Sequence, residues 1–525
     1  MFKCSAIDIS RQSVIIIKNK IKDEIIRMIK LDRNIVKDKI YACWLGKNIG
    51  GTMGAPYEGD SSMHDITGFS TPKGQVLPND DLDLQLVWLC AVEDAGPAAL
   101  TPQVLGEYWM SHIYPHWNEY GICKNNMRMG ILPPMSGEYN NLWKHSNGAW
   151  IRTEVWACMA PGRPDIAIKY AWMDAAVDHG TGEGTYAAMF VAAIEASAFI
   201  ISDPVKLTKI GLSVIPPECR MAQAIQVVLD CREKGLSWKE AREKVVESTK
   251  DLGWFQAPAN VSFAIIGLLW GEGDFKKSMI ISVNCGDDTD CTAATVGSIL
   301  GIIGGSNIIP DDWSEYIGDG IANIATTQGT LYYIPTTCSE LTERVYAMIP
   351  EMLRANDNHI HSVNAKVRLS GGDVVLADEN EINDEDMALI IEHKTVDAAK
   401  KLIAIPGNSY NIDFIWAECL VIMPEGPECT AGKPFNLKFV LKNHDDTTRS
   451  PKFCELKWFL PEGWRVEGAR KNYVLQVKER HVFDETEFEA VIIPGDNVEP
   501  VNRIWCEITD AQRPTKAMIP IVLIG

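Results

Sequence analysis

The sequence predicts a multi-domain protein in which an all-α domain is followed by a small all-β domain. Three observations predict this fold class. The chain has 525 residues, which is more than one ordinary hydrophobic core contains. Before about residue 360, apolar residues recur at three- and four-residue steps, as they do on one face of a helix. After about residue 410, short alternating runs are separated by turn residues, as in a series of β-strands.

The helical domain is expected to span residues 1–355. The connector at 115–150 is the longest within it and is rich in aromatic residues and glycines, and a loop of that length is usually functional or a lid. Packing of this aromatic segment against the second domain is the alternative interpretation. Helices are predicted at 21–46, 82–95, 101–114, 164–178, 184–201, 221–233, 238–249, 258–270 and 291–304.

The β domain is expected over residues 411–525, after an acidic connector at 356–410 that contains one helix near 384–402. Runs such as NLKFVLK at 436–442 alternate apolar and polar residues, which is typical of a strand with one buried face. Seven such runs indicate an immunoglobulin-like β-sandwich. They lie near 413–422, 435–442, 454–460, 472–478, 486–493, 502–508 and 517–523.

Composition and charge exclude several classes of partner. A net charge of −20 opposes binding to a nucleic-acid backbone, which requires a basic surface. The apolar run near the N-terminus is too short for a signal-peptide core or a membrane span. The 14 cysteines are scattered without a Cys-x-x-Cys pair, which indicates reduced thiols. We therefore predict a cytoplasmic protein with no nucleic-acid partner and no membrane partner.

Two acidic clusters about 200 residues apart each precede an apolar helix. They read PNDDLDLQLVWL at residues 78–89 and NCGDDTDCTAATVG at 284–297. The dipole of a helix favours one or two acids in its first turn, but three carboxylates within four residues repel one another unless a cation compensates. Sites rich in carboxylate oxygen suit Mg²⁺, Mn²⁺ or Ca²⁺ rather than zinc. The two clusters together predict a binuclear metal site.

Small residues recur in a glycine-rich segment before the first acidic cluster and in the predicted helix after the second. The segment GKNIGGTMGAPYEG at 46–59 has five glycines but matches neither a P-loop nor a dinucleotide-binding fingerprint. Its glycines indicate either a helix-to-loop transition or a loop that approaches a ligand and delivers Glu58. In the second cluster Ala293, Gly297 and Gly301 recur every fourth residue, which lets another helix approach closely.

These three segments, in this order, resemble the ADP-ribosylglycohydrolase family, which includes the dinitrogenase-reductase-activating glycohydrolases. They read GGTMGAPYEG, NDDLDLQL and CGDDTDCTAA. Two further stretches are similar to family elements, NGAWIRTEVWACMAPG at 147–162 and the His-containing DHGTGEGTYAAMFVAAI at 178–194. The resemblance covers about residues 35–350.

The resemblance implies an all-α globule with two Mg²⁺ ions, or two Mn²⁺ ions, in a central cleft. The metal ligands that it implies are Asn79, Asp80, Asp81, Asp288, Asp290 and Cys291. The catalytic residues that it implies are Asp81 and Asp290 together with Glu58, which matches an acid that activates water in part of the family. The substrate-binding residues that it implies are Asn147, Gly148, His179 and Gly182.

The sequence departs from the family pattern at several of these positions. Asn79 stands where the family usually has a ligating Thr, and Leu82 replaces its second Thr. Cys291 stands where Thr or Ser is usual, and a thiol is a softer, poorer ligand for Mg²⁺. Asp83 is an extra acid, which we expect to support or replace a ligand. These changes leave open whether ADP-ribose is the substrate.

The resulting functional prediction is a metal-dependent glycoside hydrolase that cleaves an N- or O-glycosidic bond of ADP-ribose or a related ribosyl compound. Its partner would be a small-molecule or ADP-ribosylated substrate. The segment at 436–466 is similar to immunoglobulin-like modules of bacterial carbohydrate-active enzymes, which favours a glycosidase acting on a furanoside or small glycan. A ligand-binding homologue without catalytic activity is the second alternative.

Overall fold

A computed structural model describes residues 29–326, 331, 333–356, 374–376, 384–443, 452–468, 472–475, 477–479, 482–483, 485–511 and 513–525. Among these residues a helical part precedes a set of antiparallel β-sheets, which confirms the predicted fold class. None of the described helices is both long and apolar enough to cross a membrane.

The helical part is built around a central helix pair, α1 and α14. The helices are α1 (Arg33–Gly54), α2 (Asp80–Ala95), α3 (Pro102–His112), α4 (Asn118–Met129), α5 (Met135–Glu138), α6 (Glu154–Met159), α7 (Pro164–His179), α8 (Glu183–Ala198), α9 (Pro204–Ser213), α10 (Arg220–Glu233), α11 (Trp238–Thr249), α12 (Ala257–Gly271), α13 (Phe275–Asn284), α14 (Thr289–Gly304), α15 (Asp311–Ile317), α16 (Cys338–Ala355) and α17 (Asp384–Ile403).

Small residues let α1 and α14 pack backbone against backbone. A Cβ atom added to Gly46 would lie 2.2 Å from the carbonyl oxygen of Gly297, and one added to Gly50 would lie 2.3 Å from the carbonyl carbon of Ala293. The predicted close approach of a helix to the small-residue stripe is therefore confirmed, and its partner is the glycine-rich segment. That segment is helical as far as Gly54, so the expected transition to a loop occurs later than predicted.

The segment 115–150 is not one long loop, because it contains α4 and α5. Its sequence, NEYGICKNNMRM in α4, has weak helix propensity and no regular apolar face. Tertiary hydrogen bonds hold it instead. Lys124 Nζ donates to the carbonyl oxygens of Ile113 and Pro115, and Asn126 Nδ2 donates to those of Ser136 and Tyr139. Such distant partners leave no periodic signal in the sequence.

The β part consists of two antiparallel sheets that enclose a common core. The first has the strand order β3-β4-β5-β11-β7 and the second has the order β13-β12-β6-β8. Two short pairs, β1–β2 and β9–β10, lie outside these sheets. The strands are β1 (Ile29–Leu31), β2 (Val374–Leu376), β3 (Ser409–Phe414), β4 (Ala417–Ile422), β5 (Phe435–Asn443), β6 (Lys452–Phe459), β7 (Arg465–Glu467), β8 (Asn472–Leu475), β9 (Val477–Glu479), β10 (Val482–Phe483), β11 (Glu485–Ile493), β12 (Val501–Asp510) and β13 (Lys516–Ile524).

The first predicted strand, 413–422, was wrong as a single element. A two-residue turn at Ile415 and Trp416 divides it into the hairpin β3–β4, in which Phe414 pairs with Ala417. Ile415 is exposed while Trp416 is buried in the sandwich core. An apolar dipeptide lacks the usual Asn-Gly or Asp-Gly turn signal, which is why the sequence concealed this turn.

The two parts of the chain meet at the end of the segment 115–150. Ile131 and Met135 are buried in the same apolar cluster as the core of the β-sandwich. Tyr139 Oη donates a hydrogen bond of 2.9 Å to Glu428 Oε1. Helix α16 ends at Ala355 and β3 begins at Ser409, while the domain bounds 1–355, 356–410 and 411–525 stay predictions.

Candidate metal centre

The two acidic clusters converge although they are about 200 residues apart in the sequence. Carboxylate oxygens of Asp81 and Asp290 and the sulfur of Cys291 lie within 4.8 Å of one another. Carboxylate oxygens of Glu58, Asp288 and Asp290 form a second group within the same limit. Asp290 belongs to both groups. The arrangement therefore offers two adjacent positions for cations.

Three of these acids each carry a buried oxygen that has no hydrogen-bond partner among the described residues. They are Oδ1 of Asp81, Asp288 and Asp290, whose residues are 0%, 1% and 7% exposed. An unsatisfied buried carboxylate is costly, so such groups are normally paired or bound to a cation. Because all the converging donors except the Cys291 sulfur are hard carboxylate oxygens, the residues fit Mg²⁺ or Mn²⁺ better than a soft metal.

The carboxylates also raise one another's pKa. Burial, followed by the charge of Asp290, raises the pKa of Asp80 to about 6. Burial raises the pKa of Asp81 and Asp288 well above the usual range, with repulsion from Asp290 adding to both. Repulsion by Asp290, followed by burial, raises the pKa of Glu58 to about 8. Without a cation, bound protons therefore neutralise part of the negative charge of the cluster, and a cation would displace these protons.

A fully buried lysine supports the first cluster from behind. Lys47 Nζ lies 2.6 Å from Glu154 Oε1 and 3.6 Å from Asp81 Oδ1. Burial alone lowers the pKa of Lys47, but these carboxylates outweigh it and the net shift is upward. Gln85 Nε2 donates to Glu154 Oε2 at 2.8 Å and to the carbonyl oxygen of Asp81 at 2.8 Å. This network fixes α2 where it presents Asp81.

Sequence reasoning missed Lys47, Gln85 and Glu154. The available signal was a charged residue, Lys47, inside a run that is otherwise small or apolar. Its partner Glu154 lies 107 residues away, so the pairing itself could not be read from the sequence.

The residues at which the sequence departs from the family pattern make hydrogen bonds within the cluster. Asn79 Oδ1 accepts from the backbone N–H of Asp81 at 2.8 Å and caps α2. Cys291 Sγ donates to Asp81 Oδ2 at 3.3 Å, and burial together with the nearby acids raises the pKa of its thiol. Asp83 Oδ2 accepts from the backbone N–H groups of Ile324 and Ala325, so it anchors that loop. Metal ligation by Asn79 and Cys291 stays a prediction.

Asn147 and Gly148, which were predicted to bind substrate, are buried next to the acids. Asn147 Nδ2 donates to Asp288 Oδ2 at 2.6 Å, so it holds that carboxylate. A Cβ on Gly148 would lie 2.2 Å from Glu119 Oε1, and the carbonyl oxygen of Gly148 accepts a hydrogen bond from Arg152. Their predicted contact with a substrate stays a prediction.

His179 and Gly182 lie in a buried polar network at the end of α7. Nε2 of His179 lies 3.1 Å from Ser146 Oγ, and its Nδ1 lies 2.9 Å from Asp178 Oδ1. A Cβ on Gly182 would lie 2.0 Å from the carbonyl oxygen of Lys144, so the two backbones are in contact. Substrate binding by His179 and Gly182 likewise stays a prediction.

A pocket opens beside the acids. Tyr120 at its wall donates a hydrogen bond of 3.1 Å to Asp80 Oδ2, which ties α4 to the acidic cluster. The aromatic segment that sequence analysis considered as a lid supplies part of this wall. The lining residues are Glu58, Asp80, Trp117, Asn118, Glu119, Tyr120, Ile151, Phe255, Asp290 and Cys291.

Another part of the pocket wall depends on a strained backbone. Phe255 has a φ of 64° and Asp287 a φ of 71°, which is unusual for residues with side chains. The backbone N–H of Phe255 donates to Asp287 Oδ1 at 3.1 Å, so each residue helps to hold the other. Strain of this kind often occurs at binding sites. Sequence analysis missed Phe255, whose only signal is an aromatic pair beside a glycine in a loop.

Comparison with known proteins was made at three levels. A family model described as ADP-ribosylglycohydrolase matches residues 32–346. A solved structure titled "ADP-ribosylglycohydrolase-related protein complex" is 19% identical, with 61% of this chain and 99% of that chain covered and a TM-score of 0.41. A search of curated proteins finds no match.

Proposed function

Because the chain belongs to the ADP-ribosylglycohydrolase family, we propose that it is a metal-dependent glycoside hydrolase with two Mg²⁺ or Mn²⁺ ions. Its substrate would be ADP-ribose in N- or O-glycosidic linkage or a related ribosyl compound. The observation that carries this proposal is the convergence of Asp81, Asp288 and Asp290, each of which has a buried oxygen without a hydrogen bond among the described residues.

The acids are given different roles by their surroundings. Asp80, Asp81, Asp288 and Asp290 would hold the ions, with Asn79 and Cys291 as further ligands. Bound Mg²⁺ would supply an electrophile that holds sugar hydroxyls and lowers the pKa of water. Tyr120 orients Asp80, while Lys47 keeps Asp81 and Asn147 keeps Asp288 in place.

Glu58 is the proposed general base. It is exposed at the edge of the pocket, and repulsion from Asp290 is the largest cause of its raised pKa. Once a cation compensates Asp290, this repulsion weakens and Glu58 becomes an ionised acceptor. In the reaction, the bond between the anomeric carbon and the leaving group breaks and water oxygen bonds to that carbon. The water proton passes to Glu58, and Glu58 returns it through solvent to the leaving group, so that the overall reaction adds one water across the glycosidic bond.

The positive charge that develops on the sugar ring is the second requirement of the reaction. Asp80 and Asp290 line the pocket, and their negative charge would stabilise an oxocarbenium-like transition state. This role uses the same carboxylates as metal binding, so both functions depend on one cluster.

The second candidate is a glycosidase that acts on a furanoside or small glycan. The β-sandwich that follows the helical part favours it, since such modules accompany carbohydrate-active enzymes. A ligand-binding homologue without catalytic activity is a third. We place the protein in the cytoplasm, in keeping with cysteines that are free throughout the described residues.

The test is hydrolysis with Mg²⁺ or Mn²⁺ of a panel containing ADP-ribosyl-arginine, ADP-ribosyl-serine, nucleosides and pentofuranosyl glycosides. We expect turnover by the wild type and by Asp65→Asn, which removes an exposed acid. Asp290→Asn should lower kcat at least about 100-fold, because one residue serves both cation positions. Mg²⁺ binding without turnover would favour the ligand-binding homologue. Absence of Mg²⁺ binding in calorimetry would refute the proposal.

A further inference from the structure

The charged side chains of the pocket wall are all acidic. Four of its lining residues are acids, namely Glu58, Asp80, Glu119 and Asp290, and none of the described lining residues is Lys or Arg. Two divalent ions would neutralise four of the six carboxylates at the site, which also include Asp81 and Asp288. Burial raises the pKa of Glu119 to about 7, so above this pH the pocket would stay negative after metal binding.

Three basic side chains of the elements around the site already have acidic partners. Arg152 is fully buried and bonds to Asp174 and Asp178. Lys47 pairs with Glu154 as described above, and Lys144 pairs with Glu138. To gain a cationic partner from these three, a pyrophosphate would have to break a buried or half-buried pair, which costs more than an exposed contact returns.

Glu119 is the acid that no part of the proposed mechanism uses. It lines the pocket, it is 2% exposed, and its Oε2 has no hydrogen-bond partner among the described residues. The absence of a side chain on Gly148 makes room for its other oxygen, Oε1, which lies 3.9 Å from His179 Nε2. A buried acceptor without a hydrogen-bond partner at a pocket wall favours a ligand that offers a donor, such as a hydroxyl or an ammonium group.

The remaining wall is aromatic. Trp117 is 50% exposed, and its ring centroid lies 6.3 Å from that of Tyr120 at an interplanar angle of 30°. Phe255, which has a φ of 64°, also lines the pocket. Aromatic faces of this kind bind the apolar face of a sugar or a flat base, neither of which requires a charge.

We propose that this pocket takes an uncharged or cationic glycoside that carries no phosphate group, and that Glu119 determines this specificity. A hydroxyl or amine of the ligand donates to Glu119, while Trp117 and Phe255 contact the apolar face. The inference rests on the proposed function and chooses among its candidate substrates, favouring a related ribosyl compound without phosphate over ADP-ribose.

The first experiment measures ligand affinity of the Mg²⁺-loaded wild type by calorimetry. The probes are adenosine, methyl ribofuranoside, ribose 5-phosphate and ADP-ribose. We expect adenosine to bind at least about tenfold more tightly than ADP-ribose, because like charges oppose the latter. Raising the salt concentration should strengthen ADP-ribose binding, since screening weakens repulsion, whereas a cationic pocket would show the opposite.

The second experiment compares Glu119→Gln with Glu107→Gln, which changes an exposed glutamate on α3. Glu119→Gln should strengthen ADP-ribose binding by roughly tenfold and change adenosine binding much less. Glu107→Gln should change neither affinity. A purely structural role of Glu119 would instead weaken both ligands together, and that result would overturn the assignment.

The two proposals fail in different ways. ADP-ribose binding as tight as adenosine binding, or no binding of any uncharged probe, would overturn the substrate class while Mg²⁺ binding still supports the metal centre. Failure of the wild type to bind Mg²⁺ in the same calorimeter would overturn the proposed function first.

Discussion

At the scale of single residues, Asp290 is the point on which the candidate centre depends. It belongs to both groups of converging ligand atoms, and its charge contributes to the raised pKa of Glu58, Asp80 and Asp288. The extra acid Asp83 accepts two backbone N–H bonds at Oδ2, while its Oδ1 has no hydrogen-bond partner among the described residues. Its predicted role in supporting or replacing a ligand therefore stays a prediction.

Cys291 gives a test of metal preference. Replacing its sulfur by oxygen in Cys291→Ser keeps the size and provides a harder donor beside Asp81. We expect Mg²⁺ affinity to rise by about tenfold and Cd²⁺ affinity to fall, as measured by calorimetry. Cys231→Ser, which alters another buried thiol on α10, should leave both affinities unchanged. Equal effects of the two variants would show that Cys291 has no role at the ions.

The pH dependence of stability follows from the raised pKa values. Asp80 and Glu58 have pKa values of about 6 and about 8 in the folded protein, above the unfolded values of about 4. The folded state therefore holds more protons in this range, so the free energy of unfolding without metal should fall as pH rises from about 4 to about 8.

Saturating Mg²⁺ should reverse this trend, because the ion replaces the protons. The stabilisation by Mg²⁺, measured by urea unfolding with Mg²⁺ or with EDTA, should grow between pH 5 and pH 8, by an amount set by the protons displaced. In Asp290→Asn the increment should be small at every pH. The same Mg²⁺ increment at pH 5 and pH 8 in the wild type would contradict the carboxylate assignment.

Sequence patterns predicted the acids of this centre but not the residues that hold them. Closely spaced carboxylates before an apolar helix can be recognised in the sequence, and this pattern predicted Asp81 and Asp290 as site residues. Lys47 and Glu119 act through partners that are distant in the chain, so no spacing rule reveals them. The strained Phe255 depends on Asp287, and a backbone dihedral angle has no signal in composition.

At the scale of elements, the contact of α1 with α14 positions the second acidic cluster. Gly50→Ala tests it. In a free helix this change would stabilise by about 0.5–1 kcal/mol. Here the new Cβ would lie 2.3 Å from the carbonyl carbon of Ala293, so we expect a net loss of about 1–3 kcal/mol in urea unfolding. Mg²⁺ affinity should also fall, because Asp290 begins the same helix.

Gly68→Ala is the matched control, since a Cβ at Gly68 would meet nothing within 4 Å. It should change neither stability nor Mg²⁺ affinity. A stable Gly50→Ala protein with unchanged Mg²⁺ affinity would mean that the centre tolerates displacement of α14.

Elements whose own residues carry a periodic or capping pattern were predictable, and elements that depend on tertiary contacts were not. Helix α11 was predicted at 238–249 and observed at Trp238–Thr249, where a capping box at Ser237 and Glu240 fixes its start. Helix α4 was missed, since buried hydrogen bonds from Lys124 and Asn126 hold it. This missed helix carries Glu119 and Tyr120, so the error affected the pocket directly.

At the scale of the whole molecule, the β-sandwich reaches the pocket through the segment that includes α4. Glu119 and Tyr120 lie at the start of that helix, and Ile131 lies just after its end. Ile131 is buried among sandwich residues, and a Cβ on Gly130 would lie 3.0 Å from Val522. Both interpretations of the aromatic segment, as pocket wall and as packing surface, therefore apply to different ends of one segment.

The last prediction separates a general loss of stability from a specific effect on the pocket. Ile131→Ala and Ile508→Ala each remove a fully buried side chain from the sandwich core. Both should destabilise by about 2–5 kcal/mol in urea unfolding. Only Ile131→Ala should weaken adenosine binding, by roughly 3- to 10-fold, since it loosens the helix that carries Glu119. Mg²⁺ affinity should change much less than adenosine affinity in both, because α2 and α14 carry the ligands and only Asp80 is tied to α4, through Tyr120. Equal weakening of adenosine binding in the two variants would mean that the sandwich stabilises the fold without shaping the pocket.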